Sequence, residues 1–136
     1  MLYFQTIMFA SFLLYLFPLI CADTCQTNSH VNGCSVPLGV HIFYQNRFTP
    51  SCNIHDVCYN CAVHYGKNKT DCDTSFYNNM VNSCSDLGKR FLFPDIMRCK
   101  TAALEYYEAV KHFGDSHFVT TSPSWCTQSW VTKCIT

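Results

Sequence analysis

The sequence predicts a mainly α-helical, disulfide-stapled domain of the secreted kind, and three observations carry that reading. Eleven of the 136 residues are cysteine, a density typical of extracellular scaffolds. An apolar run of 14 residues, Ile7 to Ile20, has the length of a signal-peptide core and is short for a membrane span. Three later stretches repeat apolar residues at helical spacing between recognisable starts and stops.

Cleavage after Ala22 would remove residues 1–22 as a signal peptide, leaving residues 23–136 as one domain of ordinary size. It also takes away Cys21 and leaves ten cysteines, an even set able to close five bridges. A retained anchor is the alternative. Chain entropy roughly cancels core burial at this size, so five bridges at about 2–4 kcal/mol each weigh heavily. Nine Lys+Arg balance nine Asp+Glu, which excludes the basic face of a nucleic-acid binder. The same balance argues against strong attraction to an anionic membrane. A hydrophobic share of 49% excludes disorder.

Asp23 to Pro37 is polar, with Asn-Gly and Val-Pro punctuation, and reads as loop. Leu38 to Phe48 is apolar enough for a short helix, weakened by Gly39, Val40 and Ile42. Thr49-Pro50 supplies a hydroxyl cap and a first-turn proline, so a helix is expected from Pro50 to about Tyr65, stopping at Gly66. A second starts near Thr70 or Asp71. Its Cys72, Phe76, Met80 and Cys84 form one stripe, and Gly88 closes it. Pro94-Asp95 opens a third, with Ile96, Cys99, Ala103, Tyr106, Val110 and Phe113 on one face and Gly114 at its end. The tail from Asp115 to Thr136 reads as irregular or short-stranded, tied down by Cys126 and Cys134.

The chemistry sits on the first two helices. Cys52-Asn53-Ile54-His55-Asp56-Val57-Cys58-Tyr59 lies on one, and Cys72-Asp73-Thr74-Ser75-Phe76-Tyr77 opens the next. The short link after Gly66 returns the chain antiparallel. One register then sets both His55 against Asp73 and Cys58 against Cys72, so a Cys58–Cys72 bridge would hold imidazole to carboxylate. Tyr59 and Tyr77, each one turn further on, can point their phenols at that seam. Asp56 is rotated about 100° from His55 and faces elsewhere.

A histidine with one ring nitrogen held by a carboxylate has a fixed tautomer and a second nitrogen free to take a proton from water. A carboxylate on a neighbouring face suits a hard cation, which prefers oxygen ligands. No Gly-x-Ser-x-Gly elbow is present, and zinc fits poorly because the cysteines are expected oxidised and His-x-x-x-His spacing is absent. The pattern suits a water activated by His–Asp, with a cation stabilising the oxyanion.

Cys-x-x-His-Asp-x-Cys-Tyr followed by Cys-Asp resembles the active-site helix pair of secreted phospholipases A2. It is most similar to the conodipine type and its microbial relatives, where a short Asp/Asn-Gly-Cys-Ser loop precedes a phrase like Asn46-Arg47-Phe48-Thr49-Pro50-Ser51-Cys52. The likeness runs from about Asn32 to Cys84. It implies a phospholipase A2-like core with two antiparallel active-site helices, a calcium loop and a further C-terminal helix. By this resemblance His55 is the general base, Asp73 orients it, and Asp56 is the principal Ca²⁺ ligand, with Asn32, Gly33 and nearby carbonyls completing the metal loop. Tyr59 would hydrogen-bond Asp73, with Tyr77 the weaker candidate. The family's loop-to-helix bridge would be Cys34–Cys52. Another family bridge has lost both partners together, since its positions here are Ser51 and Asn79.

The glycine-rich calcium loop of vertebrate and snake enzymes is replaced by Asn32-Gly33-Cys34-Ser35-Val36-Pro37. Asn32 stands where microbial relatives place an Asp, which predicts a millimolar rather than micromolar calcium requirement. Lys89-Arg90 after Gly88 is either a basic helix end or a dibasic processing site. Conodipine-type proteins, as two disulfide-linked chains, favour weighing the second. Asn68-Lys69-Thr70 is a glycosylation sequon on Asn68.

His30, His41, His64, His112 and His117 lack a carboxylate at useful spacing and read as surface or packing. Tyr106-Tyr107 and the Phe113 stripe read as core. Val40, Ile42, Phe43, Tyr44 and Phe48 are packing or the apolar mouth for an acyl chain. Cys61 needs a partner off its own helix, with Cys84 and Cys99 the alternatives considered. The leading expectation is a secreted Ca²⁺-dependent esterase cutting the sn-2 bond of glycerophospholipids at a membrane or micelle surface. The alternatives are a catalytically weak, toxin-like ligand of a receptor or channel, and a structural scaffold. Head-group choice is not legible, although zero net charge points weakly to zwitterionic lipid.

Overall fold

A computed structural model describes residues 24–35, 43–89 and 93–135. The leader, Cys21, residues 36–42 and Arg90 lie outside them. Three helices dominate, α1 (Gln45–Cys61), α2 (Lys69–Ser85) and α3 (Phe93–Phe113), and the described residues contain no strand. The tail, expected irregular or stranded, is a series of 3₁₀ turns at Asp115–His117, Ser124–Thr127 and Val131–Lys133.

α1 starts at Gln45, well before the expected Thr49-Pro50 cap, and Pro50 lies inside it. That proline leaves the Asn46 carbonyl without its i+4 donor, a cost that local sequence alone would avoid. Tertiary contacts override it. Phe48 is fully buried with its ring edge-on to Tyr106 at 5.4 Å, and Arg47 Nη1 donates to the Ser83 carbonyl at 2.8 Å. Thr49 therefore caps nothing, and its hydroxyl donates back to the Gln45 carbonyl at 3.0 Å. The end is as the sequence suggests. A 3₁₀ turn, Ala62–Tyr65, tightens the last residues, and Gly66 terminates it at φ 67.

α2 begins slightly earlier than expected because Asn68 is its cap. The Asn68 side chain accepts from the Asp71 N–H while the Asp71 carboxylate accepts from the Asn68 N–H, a reciprocal capping box. Cys72, Phe76, Met80 and Cys84 are all buried. On α3, Cys99, Ala103 and Tyr106 are buried, but Phe113 is 78% exposed. α3 meets the first residue of α2 at Val110 and Lys111, and the turn beyond has no helix to pack on.

Five disulfides close the molecule: Cys25–Cys134, Cys34–Cys52, Cys58–Cys72, Cys61–Cys126 and Cys84–Cys99. Neither candidate partner of Cys61 is used. In an antiparallel pair the end of α1 faces the start of α2, so Cys84 sits at the far end, where α3 begins. The buried core has two parts. One fills the space between the three helices around Phe48, Phe76, Met80 and Tyr106. The other gathers Val57, Tyr59, Cys61 and Cys72 under the tail residues Cys126, Val131 and Cys134.

Candidate active site

The seam between the two core regions holds the ionisable cluster. His55 stacks on Phe76 of the first region at 4.5 Å and meets the tilted ring of Tyr59 of the second at 4.0 Å. Its Nε2 lies 2.9 Å from Asp73 Oδ1, so Nδ1 is the ring nitrogen that Asp73 leaves unengaged. Tyr59 donates its hydroxyl to the same Oδ1 at 2.6 Å. The Cys58–Cys72 bridge spans α1 and α2 beside this pair. His55 and Asp73 are 7% and 3% exposed, so the interaction operates away from bulk water.

Electrostatics follow from that burial. Desolvation pushes the Asp73 carboxyl up, but hydrogen bonds from His55, Lys69 and Tyr59 outweigh it and hold its pKa below the usual range. Burial, reinforced by the Asp73 carboxylate, drives the Tyr59 phenol well above its ordinary value, which keeps it a donor.

Tyr77 does not join the cluster. It is half-buried, with its ring against Tyr107 at 5.4 Å. Four residues on from Asp73, its position is rotated about 40° around α2, which turns it toward α3 rather than the seam. Lys69, expected only as part of a glycosylation sequon, donates to Asp73 Oδ2 at 2.8 Å. The i,i+4 spacing to Asp73 was the available signal. Gly114, expected only as the end of α3, also belongs to the site: any Cβ there would collide with Tyr59 Oη and the Val110 carbonyl. His112 does have a carboxylate at useful spacing, Glu108 at 3.1 Å, on an exposed face away from the seam.

Asp56 is half-buried and reaches the loop that precedes α1. The Asn32 N–H donates to its Oδ2 at 3.2 Å, and the Gly33 N–H donates to Asn53 Oδ1 at 2.9 Å. Asn32 Oδ1 accepts from the Ser35 hydroxyl at 2.8 Å. The loop is fastened to α1 by Cys34–Cys52. Asp56 and His55 line one open cavity of about 350 Å³ together with Asn32, Gly33, Phe76 and Tyr106. His30 and His117 lie on its wall; His30 stacks on Trp125 at 4.1 Å.

The donor set suits a hard cation in kind. Burial raises the Asp56 pKa above the usual carboxylate range, with only partial relief from the Asn32 N–H and from His55 and His117. No Lys or Arg forms an ion pair with it among the described residues. A desolvated carboxylate without a full counter-charge is an environment in which a divalent cation restores the missing charge balance. Among the described residues no three His, Cys, Asp or Glu side chains converge, so one carboxylate and neutral oxygens would hold the ion.

Comparison with known proteins gives a consistent picture. The family described as "Group XII secretory phospholipase A2 precursor" matches residues 22–132. Conodipine-P2 of Conus purpurascens is 38% identical over 71 residues, covering 52% of this chain and 39% of that protein. Conodipine-M alpha chain of Conus magus is 41% identical over 64 residues, covering 47% of this chain and 79% of that one. The matched stretch thus spans about two fifths of the Conodipine-P chains. No solved structure matches.

Proposed function

The chain belongs to the group XII secretory phospholipase A2 family, and on that premise we propose that it is a secreted, Ca²⁺-dependent phospholipase A2. The substrate is a glycerophospholipid presented by a membrane or micelle, cut at its sn-2 ester. The observation that carries this is the buried Asp73–His55 pair opening into the cavity that also contains Asp56.

His55 is the general base. With Asp73 holding Nε2, Nδ1 accepts a proton from water as the water oxygen attacks the ester carbonyl. When the tetrahedral intermediate collapses, the same proton passes to the departing glycerol oxygen, so fatty acid and lysophospholipid leave and His55 is regenerated. Asp73 fixes tautomer and ring orientation, and Tyr59 holds Asp73. Asp56, Asn32, Gly33 and adjacent carbonyls are the proposed Ca²⁺ holders; the ion supplies positive charge for the oxyanion and the substrate phosphate. Phe76 and Tyr106 give the cavity an apolar wall suited to an acyl chain.

Release of sn-2-labelled fatty acid tests the reading, measured with calcium, with chelator, and in His55→Gln. Calcium-dependent release by the wild type alone is expected. Equal release under all three conditions would leave a binding protein on the same fold.

Residues 1–22 are the proposed signal peptide, and Asn68, exposed at the start of α2, is the proposed glycan site. Cleavage at Lys89-Arg90 would give two chains. Cys25–Cys134, Cys61–Cys126 and Cys84–Cys99 all cross that point, so the halves would stay joined by three bridges. Intact mass before and after reduction checks it: two reduced species are expected, and one of full mature length refutes processing. No described helix is long and apolar enough to cross a membrane, in keeping with peripheral contact with lipid.

A further inference from the structure

Lys69 is the first residue of α2, where the positive end of the helix dipole disfavours a cation. Its side chain is nonetheless drawn inward and is only 18% exposed. Nζ donates to Asp73 Oδ2 at 2.8 Å, to the Val110 carbonyl at 3.0 Å and to the Lys111 carbonyl at 3.4 Å. It also pairs with Asp115 Oδ1 at 3.3 Å and lies 6.0 Å from the centre of the Tyr59 ring. The stem passes Gly114, where an added Cβ would come within 3.2 Å of Lys69 Cε.

Both groups met by this ammonium gain from it. The last carbonyls of a helix carry its negative end, and Lys69 is a second donor to the Val110 carbonyl, which also accepts from the Gly114 N–H at 2.8 Å. Asp73 is a buried carboxylate whose Oδ1 is held by His55 and Tyr59, and Lys69 is the partner that satisfies Oδ2. Without it that oxygen is buried and unpaired. The carboxylate then gains by rotating toward solvent, which withdraws Oδ1 from the imidazole.

We propose that Lys69 is a positioning residue: it clamps the second oxygen of Asp73 to the C-terminal end of α3, and so fixes the angle at which Asp73 presents Oδ1 to His55. The inference rests on the hydrolytic reading above. Lys69 does not line the cavity, so its loss acts on the orientation of His55 and not on substrate binding. It also makes the end of α3 part of the site, although α3 supplies no group to the reaction.

The test uses Lys69→Met, which keeps most of the stem and removes the charge, and Lys69→Ala supplemented with propylammonium. The expected result for Lys69→Met is a kcat lowered about ten- to a hundredfold, a fraction of the ~10²–10⁴ typical of general-base catalysis, with KM within about twofold. Propylammonium, but not propanol, should restore part of the Lys69→Ala rate. A second readout does not depend on turnover. In wild type the ¹⁵N signals of the His55 ring should report one tautomer, with the proton on Nε2, at a pH above the ordinary histidine range. In Lys69→Met they should average over two. Wild-type kcat in a folded Lys69→Met, or a single unchanged tautomer, overturns the clamp. If the wild type releases no fatty acid, the hydrolytic reading falls while the ring signals still decide the role of Lys69.

Discussion

The two walls of the cavity are built differently. On one side, His55 and Tyr59 line the cavity with Asp73 and Lys69 behind them; all four stand on helices, are largely buried, and share hydrogen bonds of 2.6 to 2.9 Å. On the other, Asp56 faces a loop through a single N–H contact of 3.2 Å, and its neighbour Asn32 is exposed. The helical wall is complete in itself: every charge there has an opposite charge or a donor. The loop wall is less complete: burial raises the Asp56 pKa, and among the described residues no Lys or Arg pairs with its carboxylate. On the proposed hydrolytic reading, a site divided this way would couple a proton-transfer unit to an exchangeable ion.

The sharpest break of that contrast exchanges charge on the loop wall. Asp56→Asn removes the only carboxylate on it among the described residues and should abolish calcium-dependent release at any attainable calcium concentration, leaving the fold intact. Asn32→Asp adds a second carboxylate and should lower the calcium needed for half-maximal activity by about tenfold, since ligand charge count sets affinity in such sites. Calcium titration of sn-2 release in the two variants measures both. An unchanged midpoint in Asn32→Asp would remove Asn32 from the loop wall and leave Asp56 with backbone partners alone.

The helical wall was largely legible in the sequence because register on two helices is a matter of counting. Four- and three-residue spacing put His55, Tyr59 and Cys58 on one face, and the return at Gly66 set that face against Cys72 and Asp73. Counting fails where a residue's neighbours come from far along the chain. Lys69 reads as a solvent-facing first-turn residue until Val110 and Lys111 arrive beside it from α3 and Asp115 from the turn that follows. Pro50 reads as a helix start until the burial of Phe48 against Tyr106 extends α1 backward. Cys61 has no local feature that points to Cys126, since a 3₁₀ tail carries no periodicity from which to take a register. The loop wall was legible only through family resemblance, because Asn-Gly-Cys-Ser has no repeat and its geometry depends on the Cys34–Cys52 tether.

The smallest expected effect separates the walls without any substrate. The Asp73 pKa is depressed in the folded protein, so the stability it contributes is present above the ordinary carboxylate value of ~3.9 and is lost as pH falls through its folded pKa. The Asp56 pKa is raised, so its effect has the opposite sign. Relative stability from Asp56 is fully present below ~3.9 and is lost as pH rises through its folded pKa, because ionisation then leaves a desolvated charge. In calcium-free buffer, Asp56→Asn should therefore gain stability relative to wild type as pH is raised from about 3 to 7, and Asp73→Asn should lose it. Thermal melting with disulfides intact, run across that range, gives the two slopes. Added calcium should erase the Asp56→Asn advantage, since an ion bound to the folded state stabilises the wild type by mass action, and should leave the difference between Asp73→Asn and wild type where it was, because that variant keeps Asp56. Parallel curves for the two variants would mean that the cavity has one electrostatic environment, and the division between a self-neutralised helical side and a loop wall proposed to take an ion would be lost.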